Sequence, residues 1–341
     1  PTRRSSDLLW LGQGGPGDIG HRLSAAYNFP VTKDIAGALT LGTGKLAVDG
    51  VVLVCEHGNF PHNDRNQQLY PRFEYFEQVV NVFKQSGRTC PVFVDKHLSY
   101  DWKKAHQMYR WSQELKFPLM AGSSVPVTFR RPEYDPPLGL EMESALAIGG
   151  GWVADGGIFH IFETLQAFVE RRKGGEVGIR SVQLLKNEAV WKAEKQGLWR
   201  RDLLDAALAR QQKPSDKRPE DGTAVLGLIE YRDGFKAATL ALSSVSEYIA
   251  AVKPKGAPPQ ATLCYIPIEN SNNFSNLVHG ITQMIATGKP AVDVRRTLLV
   301  SGALASLMES GFQNGRRLET PELNISYKAP RNSWYAKGEG S

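Results

Sequence analysis

Three short stretches of the chain bring together side chains that can move or hold protons. The first is Asp95-Lys96-His97, which ends an apolar run from Pro91 to Val94. A lysine at the carboxyl end of a parallel strand lies where open α/β sheets bind their ligands. It could stabilise a developing alkoxide there, or be one of the inert surface lysines that strand ends carry. The second is Glu56-His57-Gly58, which follows the β-branched run Val48 to Val54. Glu56 and His57 read as an acid/base pair or as metal ligands. They read equally as a hydrogen-bonded turn with His57 as a polar cap. Adding His62 and Asp64 would extend the pair to a metal-assisted hydrolase site, but the spacing matches no compact ligand motif. The third is Asp155-Gly-Gly157-Ile-Phe-His160-Ile-Phe-Glu163. A helix opening near Ile158 would put His160 and Glu163 on one face at i,i+3. Among Phe159, Ile161 and Phe162, His160 could also be a packed core histidine.

The elements that must carry these residues are written in the apolar pattern. Ser99 or Asp101 is positioned to cap a helix from Trp102 to Phe117. Its buried face would comprise Trp102, Ala105, Tyr109, Ser112 and Leu115. Leu119 to Gly122 reads as a further buried strand. Phe73, Phe76, Val79, Val80 and Phe83 form a helical stripe packed on the sheet. Asn59 to Arg72 is a polar loop suited to a flap. Pro126, Pro132, Pro136 and Pro137 then interrupt the chain and mark a domain boundary near Ser124. Beyond it, Ala145 to Gly151, Val177 to Leu185, Leu226 to Tyr231, Ala237 to Ser243 and Ala261 to Ile266 read as strands. Asp233-Gly234 joins two of them as a hairpin. Leu203 to Arg210 reads as a short amphipathic helix. Asn272 or Asn273 caps another, with Phe274, Leu277, Val278, Ile281, Met284 and Ile285 in period and Gly288 and Pro290 closing it. Glu319 to Tyr327 is an expected edge strand, and residues 331–341 an expected mobile tail.

Near the amino terminus, Gly12-Gln-Gly14-Gly-Pro-Gly17 matches G-x-G-x-x-G, with Asp34 at the distance of a ribose-binding acid. Four glycines and a proline in six residues also make a plain surface loop.

The order strand, acidic-Lys-x, helix, strand around Lys96 resembles the Glu-Lys-Pro segment of the Gfo/Idh/MocA oxidoreductases. Asp155, Gly157 and His160 resemble that family's Asp-x-Gly-x-His segment with one residue more between aspartate and histidine. Thr287-Gly-Lys-Pro290 and Ser310-Gly311 resemble its closing helices. The resemblance runs in order through most of the chain. It implies a Rossmann-like nucleotide-binding domain over 9–124 and an α+β domain with a helix-flanked antiparallel sheet over 125–330. It also implies NAD or NADP as cofactor and a sugar- or polyol-like alcohol as substrate. Lys96 would stabilise the alkoxide and His160 relay the proton, with Asp155 a third catalytic residue. Glu56, His57, Gly58 and Asp95 would border the cofactor. No resident metal is implied. The antiparallel sheet would be a self-association face. Two departures stand out: His97 replaces the family proline, and Glu56-His57 replaces a Thr-Pro turn. On this alignment the Gly12–Gly17 loop follows the second strand of the family fold, so the first strand, its Gly-rich loop and first helix would lie upstream.

The 341 residues are 41% hydrophobic and 22% charged, with net charge +6 and pI near 9.1, ordinary values for two globular domains. The basic residues are scattered, which argues against nucleic-acid binding. No apolar run approaches the ~20 residues of a membrane helix. Three cysteines without paired spacing suit a reducing, cytoplasmic setting. Residues 1–8 match what a short sequencing adapter encodes, and native sequence is expected from about Leu9. A second class of function stays open: a binding or scaffold protein that keeps the fold without redox chemistry.

Overall fold

The computed structural model describes residues 8–13, 18–56, 58–150, 155–267 and 272–338. His57, Gly14 to Gly17 and Gly151 to Ala154 lie outside the described residues.

The first half is a layered α/β unit. Its elements are β1 (Leu9–Trp10), α1 (Ile19–Tyr27), β2 (Val31–Thr32), α2 (Ile35–Thr40), β3 (Val51–Leu53), α3 (Arg72–Ser86), β4 (Val92–Asp95), α4 (Trp102–Glu114) and β5 (Leu119–Gly122). Two parallel sheets result, β1-β2 and β3-β4-β5. The apolar runs decide this: Val92, Val94 and Leu119 are buried, as strands covered on both faces must be. Phe76, Val79, Val80 and Phe83 of α3 pack on them. Asp101 starts α4, its carboxylate accepting from the Lys104 amide at 2.9 Å. Ala105, Met108 and Ser112 are the buried residues of α4, while Trp102, Tyr109 and Leu115 are only half-buried.

The second half comprises β6 (Phe129–Arg131), β7 (Met142–Gly150), α5 (Asp155–Val169), β8 (Ile179–Lys186), α6 (Glu188–Lys195), α7 (Arg201–Leu208), β9 (Ala224–Tyr231), β10 (Lys236–Leu242), β11 (Tyr248–Pro254), β12 (Gln260–Tyr265), α8 (Ser275–Thr287), α9 (Arg295–Phe312) and β13 (Leu318–Glu319). The strands form one sheet in the order β13-β8-β9-β10-β7-β11-β12-β6. The sheet is mixed rather than wholly antiparallel, because β7 and β10 pair in parallel. The chain leaves β7 through α5 and reaches β10 only after β8 and β9, so the centre of the sheet is closed by a crossover. The edge strand expected over 319–327 shrinks to Leu318–Glu319, where Pro321 stops the ladder.

Phe159, Phe162, Leu165 and Phe168 of α5 and Leu299, Val300 and Leu307 of α9 cover one sheet face. Val190, Leu203, Leu204 and Ala207 of α6 and α7 cover the other, over Leu146, Leu226 and Leu240. Described residues near the C-terminus hydrogen-bond to the rest of the chain. Ser333 donates to Asp135 at 2.5 Å, Asn276 donates to the Trp334 carbonyl at 2.6 Å, and the Ala336 amide donates to Val127 at 2.9 Å.

Helix α9 ties the halves together. Thr297 donates to the Ala121 carbonyl at 2.9 Å, and Ser301 accepts from the Leu98 amide at 3.1 Å. Arg296 pairs with Glu170, and Tyr327 donates to the same carboxylate at 2.8 Å, all in the interior.

Candidate active site

Lys96 stands at the carboxyl end of β4 in a left-handed turn, with φ 64°. Non-glycine residues rarely adopt that conformation, and it clusters at functional sites. Its amide donates to the Gly122 carbonyl at 3.1 Å, which anchors the turn to β5. A proline at 97 would favour an extended residue before it, whereas His97 lets Lys96 turn. The ammonium lies between two carboxylates, pairing with Glu56 from the end of β3 and with Asp95 at 3.2 Å. Burial lowers Lys96 to about 8 even so.

His160 approaches from α5. Its Nδ1 is 2.6 Å from Ser123 Oγ, and its ring stands edge-on to Tyr248 at 5.7 Å. Burial, with Lys96 and Arg72 adding repulsion, lowers His160 to about 3. One turn on, Glu163 accepts from the Ser123 amide at 3.0 Å and from the Thr297 hydroxyl. The i,i+3 pair therefore grips a single residue, one through its hydroxyl and the other through its backbone. Burial raises the Glu163 carboxyl above its usual range.

Helix α5 starts at Asp155, three residues earlier than the sequence suggested. Asp155 Oδ1 accepts from the Gly156 amide at 2.9 Å, and its Oδ2 lies 3.8 Å from His97 Nε2. Arg72 was not singled out by sequence, and His97 only as the replacement of a proline. His97 accepts from Arg72 Nη1 at 3.2 Å and packs edge-on to Phe159 at 5.5 Å. Arg72 is only 1% exposed and lies 4.5 Å over the Tyr70 ring, and its Nε and Nη2 have no hydrogen-bond partner among the described residues. Arginines are rarely buried, so nothing in its surroundings in sequence marked it.

A cavity of about 830 Å³ runs between the two parallel sheets, along Leu9 to Gln13 on one side and Val48 to Glu56 on the other. Glu56 and Gly58 border its end nearest Lys96, while Asp95 turns to the lysine. Gly58 fits only as glycine, since a Cβ would lie 2.3 Å from Phe60 and 2.7 Å from Gln13. Gly14 to Gly17 of the glycine-rich stretch lie outside the described residues. The helix that follows is capped by Asp18, whose carboxylate accepts from the Gly20 amide at 2.6 Å and puts negative charge at that helix terminus. Asp34 is likewise the cap of α2, accepting from Gly37 at 2.6 Å. Among the described residues no group of three His, Cys, Asp or Glu side chains is arranged to hold a metal ion, and no helix is long and apolar enough to cross a membrane.

No family model and no curated protein matches the chain. Among solved structures, GenD2 from gentamicin A biosynthesis, in complex with NAD, is 16% identical with a TM-score of 0.56, over 89% of this chain and 86% of that one. The myo-inositol dehydrogenase of Lactobacillus casei, in complex with NAD(H) and myo-inositol, is 12% identical with a TM-score of 0.55, over 94% and 89%. The scyllo-inositol dehydrogenase of the same organism, with NAD(H) and scyllo-inositol, is 10% identical with a TM-score of 0.57, over 92% and 90%. The chain shares their two-domain fold, the one expected from the resemblance to the Gfo/Idh/MocA superfamily.

Proposed function

We propose that this protein is a nicotinamide-dependent oxidoreductase acting on a sugar- or polyol-like alcohol. The observation that carries the reading is Lys96, held in a left-handed turn at a parallel-strand end between Glu56 and Asp95, with its charge near enough to depress His160. A buried lysine lowered to about 8 can bind an alkoxide or exchange its proton near neutral pH. His160, fixed by Ser123, approaches the same region from the second domain. Solved proteins with this fold bind NAD and inositols. Bound NAD or NADP would supply hydride acceptance or donation. Glu56 and Gly58 would border it, and Lys96 and His160 would act on the reacting oxygen.

The fit differs between the two ends of such a cofactor. The nicotinamide end has polar partners in place. The described residues hold no phosphate cradle. The cavity itself suggests where one belongs. It is flanked by the edge strands of two parallel sheets, β1 and β3, and Val52 and Val54 beside it are 52% and 65% exposed. In a parallel ladder successive residues hydrogen-bond to opposite sides. The Val51 amide bonds toward β4, so the Val52 amide and carbonyl face the cavity. An extended segment inserted there would join both sheets into one. Titrating the purified protein with NAD and with NADP, followed by calorimetry, tests the cofactor: binding of either supports the oxidoreductase reading. Binding of neither favours the non-redox binding reading, in which the fold is kept without dinucleotide chemistry. For the reaction, replacing Lys96 with Ala should cut turnover on the order of a hundredfold or more with the fold intact. Unchanged turnover would remove Lys96 from the mechanism.

A further inference from the structure

Ser123 does more than close β5. Its Oγ accepts the Val125 amide at 3.0 Å and lies 2.6 Å from His160 Nδ1, and the residue is 4% exposed. A serine hydroxyl has one proton to give and two lone pairs to receive. Among the described residues the acceptor within reach of that proton is His160 Nδ1. A buried hydroxyl proton aimed anywhere else would go unpaired, at a cost of about 1–3 kcal/mol. The backbone of Ser123 leaves little freedom to reorient, because its amide is held by Glu163 at 3.0 Å.

We propose that Ser123 is a positioning residue that locks His160 in the tautomer with Nδ1 as acceptor and Nε2–H as donor. In that state His160 cannot serve as a base at Nε2, because that nitrogen already holds its proton. Losing it would leave an imidazolate. His160 is then a fixed hydrogen-bond donor toward substrate oxygen, and proton exchange falls to Lys96. This assignment of roles rests on the oxidoreductase reading; the tautomer itself does not. In a carbonyl reduction the incoming hydride adds to carbon and the carbonyl electron pair moves to oxygen. The His160 N–H would hold that oxygen. The Lys96 ammonium would give its proton, breaking N–H and forming O–H, and would be left as the neutral amine. The reverse sequence oxidises the alcohol. Burial keeps His160 uncharged at neutral pH, in keeping with a donor of fixed form, and Lys96 and Arg72 are the charged groups that oppose its protonation.

The test is long-range 1H–15N correlation NMR on 15N-histidine protein at pH 7, with the His160 signals assigned by their loss in His160→Gln. The expected result is a neutral ring with Nε2 protonated and Nδ1 bare. A ring protonated at Nδ1, or an imidazolium, overturns the proposal. In Ser123→Ala both tautomers should become populated, and Ser123→Thr should restore one. An unchanged ring pattern in Ser123→Ala would take the role from Ser123. The wild-type spectrum alone decides the tautomer should a variant not fold. Loss of the oxidoreductase reading would show as missing turnover with the ring pattern as described, so the two failures are distinguishable.

Discussion

A single methyl group at position 122 should strike the contact between β5 and α5 directly. Gly122 has φ 133°, and a Cβ there would lie 2.6 Å from Glu163 Oε2 and 3.1 Å from Thr297 Oγ1. The backbone conformation alone costs an alanine about 1–3 kcal/mol. The carboxylate must also move away from the Ser123 amide, and a hydrogen bond to a charged buried group is worth about 1.5–3 kcal/mol. Together these predict about 2.5–6 kcal/mol of destabilisation for Gly122→Ala. With roughly 2.1 cal/mol/K of unfolding entropy per residue, a chain of 341 residues loses about 3–8 °C in Tm. Gly174 is the control: its φ is 91° but a Cβ there meets open space, so Gly174→Ala should lose only the backbone part, about 1–4 °C. Scanning calorimetry on both variants separates strain from collision. Equal shifts would refute the argument that Glu163 is held against β5.

Three further outcomes follow from the interior. If Lys96 exchanges the proton, alcohol oxidation should rise with pH through about 8 as the amine becomes neutral, and Lys96→Arg should abolish that rise. A rate that falls above pH 8 would instead mean that the ammonium is the active form. Arg296→Met leaves Glu170 buried without its cation, which should cost about 3–5 kcal/mol, read as a lower Tm. The thiols of Cys55, Cys90 and Cys264 are all buried and raised to about 11, 12 and 11, so a thiol reagent at pH 8 should label them only after unfolding.

Much of the fold was legible because its strands are unbroken apolar runs. Val92 to Val94 and Leu119 to Ala121 could be little else, and Lys96 followed from where the first run ends. The stripe of α3 was equally plain, since a period of three and four residues has few other meanings. Asp155-Gly-Gly looked like a loop, so α5 was started late. The parallel pairing of β7 and β10 left no local trace, because register between distant strands is not written in either one. Ser123 fell in a Gly-Ser-Ser stretch at the domain boundary, with no periodicity to mark it. Its role appears only when α5 and α9 bring Glu163, His160 and Thr297 onto it. Arg72 was missed for a related reason: a buried cation is recognised by what surrounds it in space.

The most direct test of the central claim is hydride transfer itself. The protein is incubated with NAD or NADP and a panel of inositols and sugars, and reduced nicotinamide is followed by absorbance in wild type and Lys96→Ala. The proposed function predicts turnover on at least one polyol and a loss on the order of a hundredfold in the variant. Absence of reduction across the panel, or equal rates in the two proteins, would contradict it.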